Sequence, residues 1–228
     1  MRFKMIVLAV VLALAPAVLW AGPYEDGVHA AKAGDYAAAV RHFRVAAKQG
    51  SPDAQNDLGA MYARGQGVPQ NYAEAVKWYR MAANQGDVTA QFNLAGMYEE
   101  GHGVPQDYAE AVRWYRKAAE RGHVNAQTNL GLMYAEGRGV PQDYLTALRW
   151  WRKAAEKGFA DAQYNLGAMY ANGLGVRPDF VQTYMWWTVA AAQGHTEAAK
   201  YREMLARQMT PAQIAEAQKL AREWKPSK

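Results

Sequence analysis

The sequence predicts an all-α solenoid of about twelve helices, stacked as antiparallel pairs. Three observations carry this prediction. A 36-residue pattern recurs without insertion at residues 51–86, 87–122, 123–158 and 159–194. Within each copy, apolar residues fall at helical spacing in two separate segments. Glycines stand at fixed points between and after those segments. One helix pair cannot bury its apolar faces alone, so neighbouring copies must stack.

The 87–122 copy shows the unit. Its first helix, about Val88 to Glu100, places Ala90, Leu94, Met97 and Tyr98 on one face. Its second, about Tyr108 to Arg121, places Tyr108, Ala111, Val112, Tyr115, Ala118 and Ala119 on one face. Asp107 precedes the second helix with Glu110 three residues later, a capping-box pattern. Asp35, Asn71, Asp143 and Asp179 fill the same slot, and all are good N-caps. Gly50, Gly86, Gly122, Gly158 and Gly194 follow the second helices, where a left-handed residue ends a helix at least cost. Small residues at Ala75, Ala111 and Ala147, and again at Ala82, Ala118 and Ala154, let helix backbones approach closely.

These residues resemble a known family. The pattern Ala-x-x-x-Leu-Gly-x-x-Tyr-x-x-Gly-x-Gly-Val, followed by Asp-x-x-x-Ala-x-x-Trp-x-x-x-Ala-Ala-x-x-Gly, is similar to the Sel-one-like repeat (SLR), a relative of the tetratricopeptide repeat. The resemblance covers about residues 24 to 207 and implies a right-handed α-solenoid. One copy departs locally: it reads Leu94-Ala95-Gly96, with the glycine displaced by one.

In chain order, Met1 to Ala21 reads as a signal peptide. Arg2 and Lys4 form a positive start, Met5 to Ala15 is an uncharged apolar run, Pro16 breaks the helix, and Ala21 suits cleavage. The uncharged stretch from Met5 to Ala21 spans 17 residues, short for a membrane helix of about 20. The expected address is periplasmic or secreted. Residues 22–50 form a shortened, tetratricopeptide-like first repeat with the turn Gly34-Asp35-Tyr36. After the four full copies, residues 195–228 hold one more first-type helix and a last helix opened by Thr210, Pro211 and Gln213. The last helix reads as a solubilising cap, with a fraying tail at Pro226-Ser227-Lys228.

Composition narrows the function. The chain carries +5 formal charge. Without Arg2 and Lys4 it has 24 basic and 21 acidic residues, hence +3, too mild to argue for nucleic acid. There is no cysteine, so disulfides, thiolate catalysis and cysteine metal sites are excluded. Beyond the leader the serines are Ser51 and Ser227, one a helix cap and one in the tail. The five histidines show no metal-ligand spacing. No enzyme activity and no cofactor are expected. Gly101-His102-Gly103-Val104-Pro105-Gln106 fits neither phosphate-binding glycine motif and reads as an inter-helix turn. The tryptophans at 78, 114, 150 and 186 read as core, and Glu99, Glu100 and Glu136 as solvated carboxylates.

The resemblance implies that the first helix of each pair lines a concave groove. The expected partner-binding residues there are Asn56, Phe92, Asn93, Glu100, Thr128, Asn129, Glu136, Tyr164, Asn165 and Asn172. Two readings stand for Asn93, Asn129 and Asn165: they grip an extended peptide backbone, or they bond neighbouring helices. Acids outnumber bases along this row, and second helices are rich in Arg and Lys. The expectation is an exported, monomeric protein-interaction scaffold or adaptor that takes a basic or neutral protein segment, with the outer face free to touch cell-envelope components. The alternatives are peptidoglycan-fragment binding, or the β-lactam hydrolysis linked to a cysteine-rich branch of the family. This sequence lacks those cysteines.

Overall fold

The computed structural model describes residues 22–227. Among them lie twelve helices and no strand. The expected signal peptide, Met1–Ala21, falls outside the described residues, as does Lys228. The pairs are α1 (Pro23–Lys32) with α2 (Tyr36–Lys48), α3 (Pro52–Arg64) with α4 (Tyr72–Asn84), and α5 (Val88–Glu100) with α6 (Tyr108–Glu120). They continue with α7 (Val124–Glu136) and α8 (Tyr144–Glu156), then α9 (Ala160–Asn172) and α10 (Phe180–Ala192). The chain closes with α11 (Thr196–Ala206) and α12 (Pro211–Glu223). Each helix packs mainly on its chain neighbours, and α12 folds back onto α10. The array is therefore quasi-one-dimensional.

The predicted N-caps form. Asp35, Asn71, Asp107, Asp143 and Asp179 each accept a backbone N–H at the start of a second helix. Glu110 does not complete a capping box, because its carboxylate pairs with Arg113 instead. The reciprocal box forms at Thr210 and Gln213.

Within a pair, glycine on the first helix faces an aromatic on the second. A Cβ at Gly59, Gly131 or Gly167 would come within 2.8, 2.6 and 2.6 Å of Tyr79, Trp151 and Trp187. Ala95 takes this place against Tyr115 in the 87–122 copy, and both are buried. The expectation of a tryptophan core at 78, 114, 150 and 186 holds in half. Trp114 and Trp186 are buried, whereas Trp78 and Trp150 remain partly exposed. These tryptophans precede the wedge residue by one position and lie toward the helix edge, where Lys117 covers Trp114 at 3.9 Å and Lys153 covers Trp150 at 4.6 Å.

Three joints link successive pairs. Buried Gln55, Gln91, Gln127 and Gln163 donate to the carbonyls of Ala47, Ala83, Ala119 and Ala155. Arg44, Arg80, Arg116 and Arg152 donate to the hydroxyls of Tyr62, Tyr98, Tyr134 and Tyr170. The loop glycine Gly103, at φ 72, rests on the preceding pair so closely that a Cβ would meet the Tyr72 backbone at 2.3 Å.

Of the tail expected to fray, Pro226 and Ser227 rest on the preceding repeat. Ser227 donates to the Glu156 carbonyl from its backbone N at 2.7 Å and from Oγ at 3.1 Å. Trp224 meets the Trp186 ring edge-on at 6.0 Å. A helix leaves its last carbonyls without internal donors, and the tail supplies donors to one of them in α8, that of Glu156.

Candidate functional site

The first helices α3, α5, α7 and α9 form one row, because each sits at the same place in its pair. Positions 36 apart therefore align into columns. One column runs Asp57, Asn93, Asn129, Asn165, and the one beside it runs Asn56, Phe92, Thr128, Tyr164.

Two hydrogen-bond chains occupy the row. In the first, Tyr24 Oη donates to Asp57 Oδ2 at 3.2 Å. Asn56 Nδ2 donates to Asp57 Oδ1 at 3.2 Å, and Asn93 Nδ2 donates to Asn56 Oδ1 at 3.0 Å. Burial raises the Asp57 carboxyl above the ordinary carboxylate value, although the bonds from Tyr24 and Asn56 oppose the rise. Burial, then the Asp57 charge, pushes the Tyr24 phenol up to about 12.

In the second chain, Asn129 Nδ2 donates to Tyr115 Oη at 3.0 Å, and Tyr115 Oη donates to Glu99 Oε2 at 2.7 Å. Arg138 Nη1 donates to Glu99 Oε1 at 3.2 Å. Arg138 Nε also lies 2.6 Å from Glu136 Oε2, an ionic contact that lacks hydrogen-bond alignment. Burial and the bond to Glu99 push the Tyr115 phenol far above its ordinary range, so it acts as a fixed donor.

Between α5 and α7 these groups enclose a cleft of about 710 Å³. Phe92, Asn93, Glu100 and Asn129 line it together with Glu99, Tyr115, His102 and Arg138. Four of the ten expected residues thus converge. Asn93 and Asn129 do bond neighbouring groups, as one of their two readings required. Each spends a single amide hydrogen on that bond, which leaves its Oδ1 and second hydrogen for a ligand.

The other expected residues are differently placed. Thr128 is buried at 8 % exposure and donates to Val124 O of its own helix, so it is not a groove contact. Asn172 Nδ2 likewise donates to Ala168 O in its own helix. Asn56 is committed at both ends to Asp57 and Asn93. Glu136 stands at the cleft edge against Arg138. Tyr164 stacks on His195 at 4.6 Å, and Asn165 is partly exposed on α9, away from the cleft. Phe92 stacks on His123 at 4.6 Å, which fixes its ring.

Arg138 was the residue missing from the expected site, and it changes the charge of the row. It comes from the inter-helix loop and places a guanidinium among Glu99 and Glu136. The signal was a break in the repeat. Glu99 aligns with Ala63, Ala135 and Ala171, and Arg138 with Gln66, His102 and Leu174. Among the described residues no cluster of three or more His, Asp or Glu could hold a metal ion. None of the described helices is long and apolar enough to cross a membrane. The arrangement is a polar cleft with Phe92 as an aromatic wall.

The Sel1 repeat model matches residues 15–51, 52–87, 88–123, 124–159 and 160–195. The chain belongs to the Sel1 repeat family. Proteins of this family generally act as protein–protein interaction scaffolds. A search of curated proteins gave no match. Among solved structures, this Sel1 repeat chain is similar to a protective antigen of uropathogenic Escherichia coli strains displaying an SLR fold. The two share 36 % identity with a TM-score of 0.80, over 88 % of this chain and 45 % of the antigen. The chain thus spans less than half of that protein. A Sel1 repeat protein from Oxalobacter formigenes shares 34 % identity with a TM-score of 0.78, over 89 % of this chain and 83 % of that one. An immunity protein from Pseudomonas aeruginosa, at 18 % identity and a TM-score of 0.53 over 92 % of this chain and 88 % of its own, shares the fold alone.

Proposed function

We propose that this Sel1 repeat protein is an exported adaptor that holds an extended segment of a partner protein against α5 and α7. One observation carries the reading: the cleft of about 710 Å³ where Phe92, Asn93, Glu100 and Asn129 meet. Its polar groups suit a main chain, since Asn93 and Asn129 each retain an acceptor and a donor. Phe92 gives an apolar side chain a rigid wall. Three carboxylates stand at this surface with one guanidinium: Glu99 and Glu136 contact Arg138, and Glu100 contacts His102, so the segment is neutral or basic. Export rests on the charged start, apolar run and Pro16 of the leader.

The test is capture from a cell-envelope extract followed by mass spectrometry, using the mature chain and two variants. Phe92→Ala with Glu100→Lys alters the cleft. Arg113→Glu with Lys77→Glu alters exposed positions on second helices outside the inter-pair joints. A partner bound by wild type and by the second-helix variant, but lost from the cleft variant, supports the reading. A partner that survives the cleft variant and is lost from the other overturns it. Nitrocefin turnover by the pure chain would overturn the non-enzymatic assignment.

A further inference from the structure

The tail of this chain behaves as a ligand seated on its own outer face. Trp224 lies edge-on to Trp186, Pro226 lies over Gly158, and Ser227 donates twice to the Glu156 carbonyl. Each receiving residue has a counterpart one repeat earlier: Trp150 for Trp186, Gly122 for Gly158, and Glu120 for Glu156. At that earlier position two exposed lysine side chains stand where the tail's residues lie: Lys153 over the Trp150 ring at 4.6 Å, and Lys157, whose Nζ donates to Gly122 O at 3.2 Å; an incoming segment displaces both. Trp150 is partly exposed where Trp186 is buried, and an open cavity of about 500 Å³ is lined by Trp150, Glu120, Tyr134, Arg149 and Lys153.

We propose that this outer groove between α6 and α8 is a second docking surface, one that takes a short acidic segment with an aromatic residue followed two positions later by proline. The tail supplies the template for shape: aromatic against Trp150, proline over Gly122, and the next residue's donors on the Glu120 carbonyl. Charge separates the two sites. Around the tail, α10 presents Met185 and Val189, whereas α8 presents Arg149 and Lys153 at the same positions. The cations Arg116 and Arg152 are already held by Tyr134 and Tyr170, but Arg149 makes no such joint. A segment for the open groove therefore carries acids where the tail carries Lys225.

The probe is the synthetic peptide Glu-Trp-Glu-Pro-Ser-Glu, titrated onto the full mature chain by fluorescence anisotropy beside the tail sequence Glu-Trp-Lys-Pro-Ser-Lys. The acidic peptide should bind about tenfold tighter or better, and more weakly as salt rises. Replacing its Trp or Pro with Ala should weaken it by about tenfold. A benzophenone placed at its Trp position should cross-link within residues 146–156. The variant Arg149→Glu with Lys153→Glu changes two exposed side chains without touching the core, and should reverse the preference between the peptides. Trp150→Ala, checked for helicity, should lose binding of both. No binding at millimolar peptide, cross-links to α5 or α7, or cross-links around Trp186 through exchange with the tail would each overturn the proposal.

Discussion

At Gly131 one methyl group decides how closely two helices pack. Its Cβ would stand 2.6 Å from the Trp151 indole. Gly131→Ala must displace that ring or spread α7 from α8, and should cost about 1–3 kcal/mol in denaturant unfolding. Gly96 is the contrast. The nearest atom to a Cβ there is Tyr115 Oη at 3.8 Å, because Ala95 already occupies the contact with the second helix. Gly96→Ala should therefore stabilise by about 0.5–1 kcal/mol, through helix propensity alone. The displaced glycine of the Leu94-Ala95-Gly96 step is a release of the constraint, not a shift of it. His123 gives a pH-dependent counterpart. Its Nδ1 caps α7 by accepting from Ala126 N at 3.2 Å, which requires the neutral ring. Burial lowers its pKa, with the Asp87 charge opposing. Since the folded value lies below the ordinary 6.5, the stability it contributes is present above that value. That contribution is lost as pH falls through the lowered one. His123→Asn keeps a cap acceptor without the titration. The difference in Tm between pH 7 and pH 5 should shrink in that variant; an unchanged difference would remove His123 as a source.

At the scale of elements, two adjacent tryptophan sites separate burial from repetition. Trp114 is 6 % exposed, and Trp114→Ala should cost about 3–5 kcal/mol. Trp150 stands partly in solvent at the equivalent position, and its replacement should cost about 1–3 kcal/mol. Equal losses in equilibrium unfolding would show that both rings are equally enclosed. Helices, their caps and their pairing were legible in the sequence because each depends on local chemistry that four copies repeat. Asp107 before its helix and Gly122 after it need no distant information. The choice between Trp150 and Trp151 as the wedge was not legible. Both lie on the apolar side of α8, and the choice depends on which of them faces Gly131 across the pair. The cleft was partly legible: the family resemblance placed Phe92, Asn93, Glu100 and Asn129 along the first-helix groove. It could not place Arg138, which sits in a loop where no period fixes direction. Nor could it show Thr128 turning its hydroxyl back to Val124. The tail was illegible for another reason, because Ser227 finds its acceptor 71 residues away at Glu156.

Across the whole molecule, the contrast of charge between faces is weaker than residue counts suggest. Arg138 neutralises part of the first-helix row, and four second-helix arginines serve as joints to tyrosine. Export is checked separately: N-terminal sequencing of periplasmic protein should begin at Gly22, and intact Met1 in membranes would show an anchor. The stacking itself makes the last prediction. Stability in such an array is a sum of pair and nearest-neighbour terms, so the ends open before the middle. α12 and the tail cover α10 with Ala217, Ile214, Leu220 and Trp224. A chain ending at Gln208 uncovers that face while leaving every joint between α2 and α9 intact. Hydrogen exchange should then accelerate first in α11 and α10, next in α9, and least in α4 to α6, whose neighbours on both sides remain. The same joints recur along the array, so no internal pair is expected to open ahead of the exposed end. Uniform loss of protection across all helices would mean that the chain unfolds as one globular unit. In that case the nearest-neighbour account of its stability would fail.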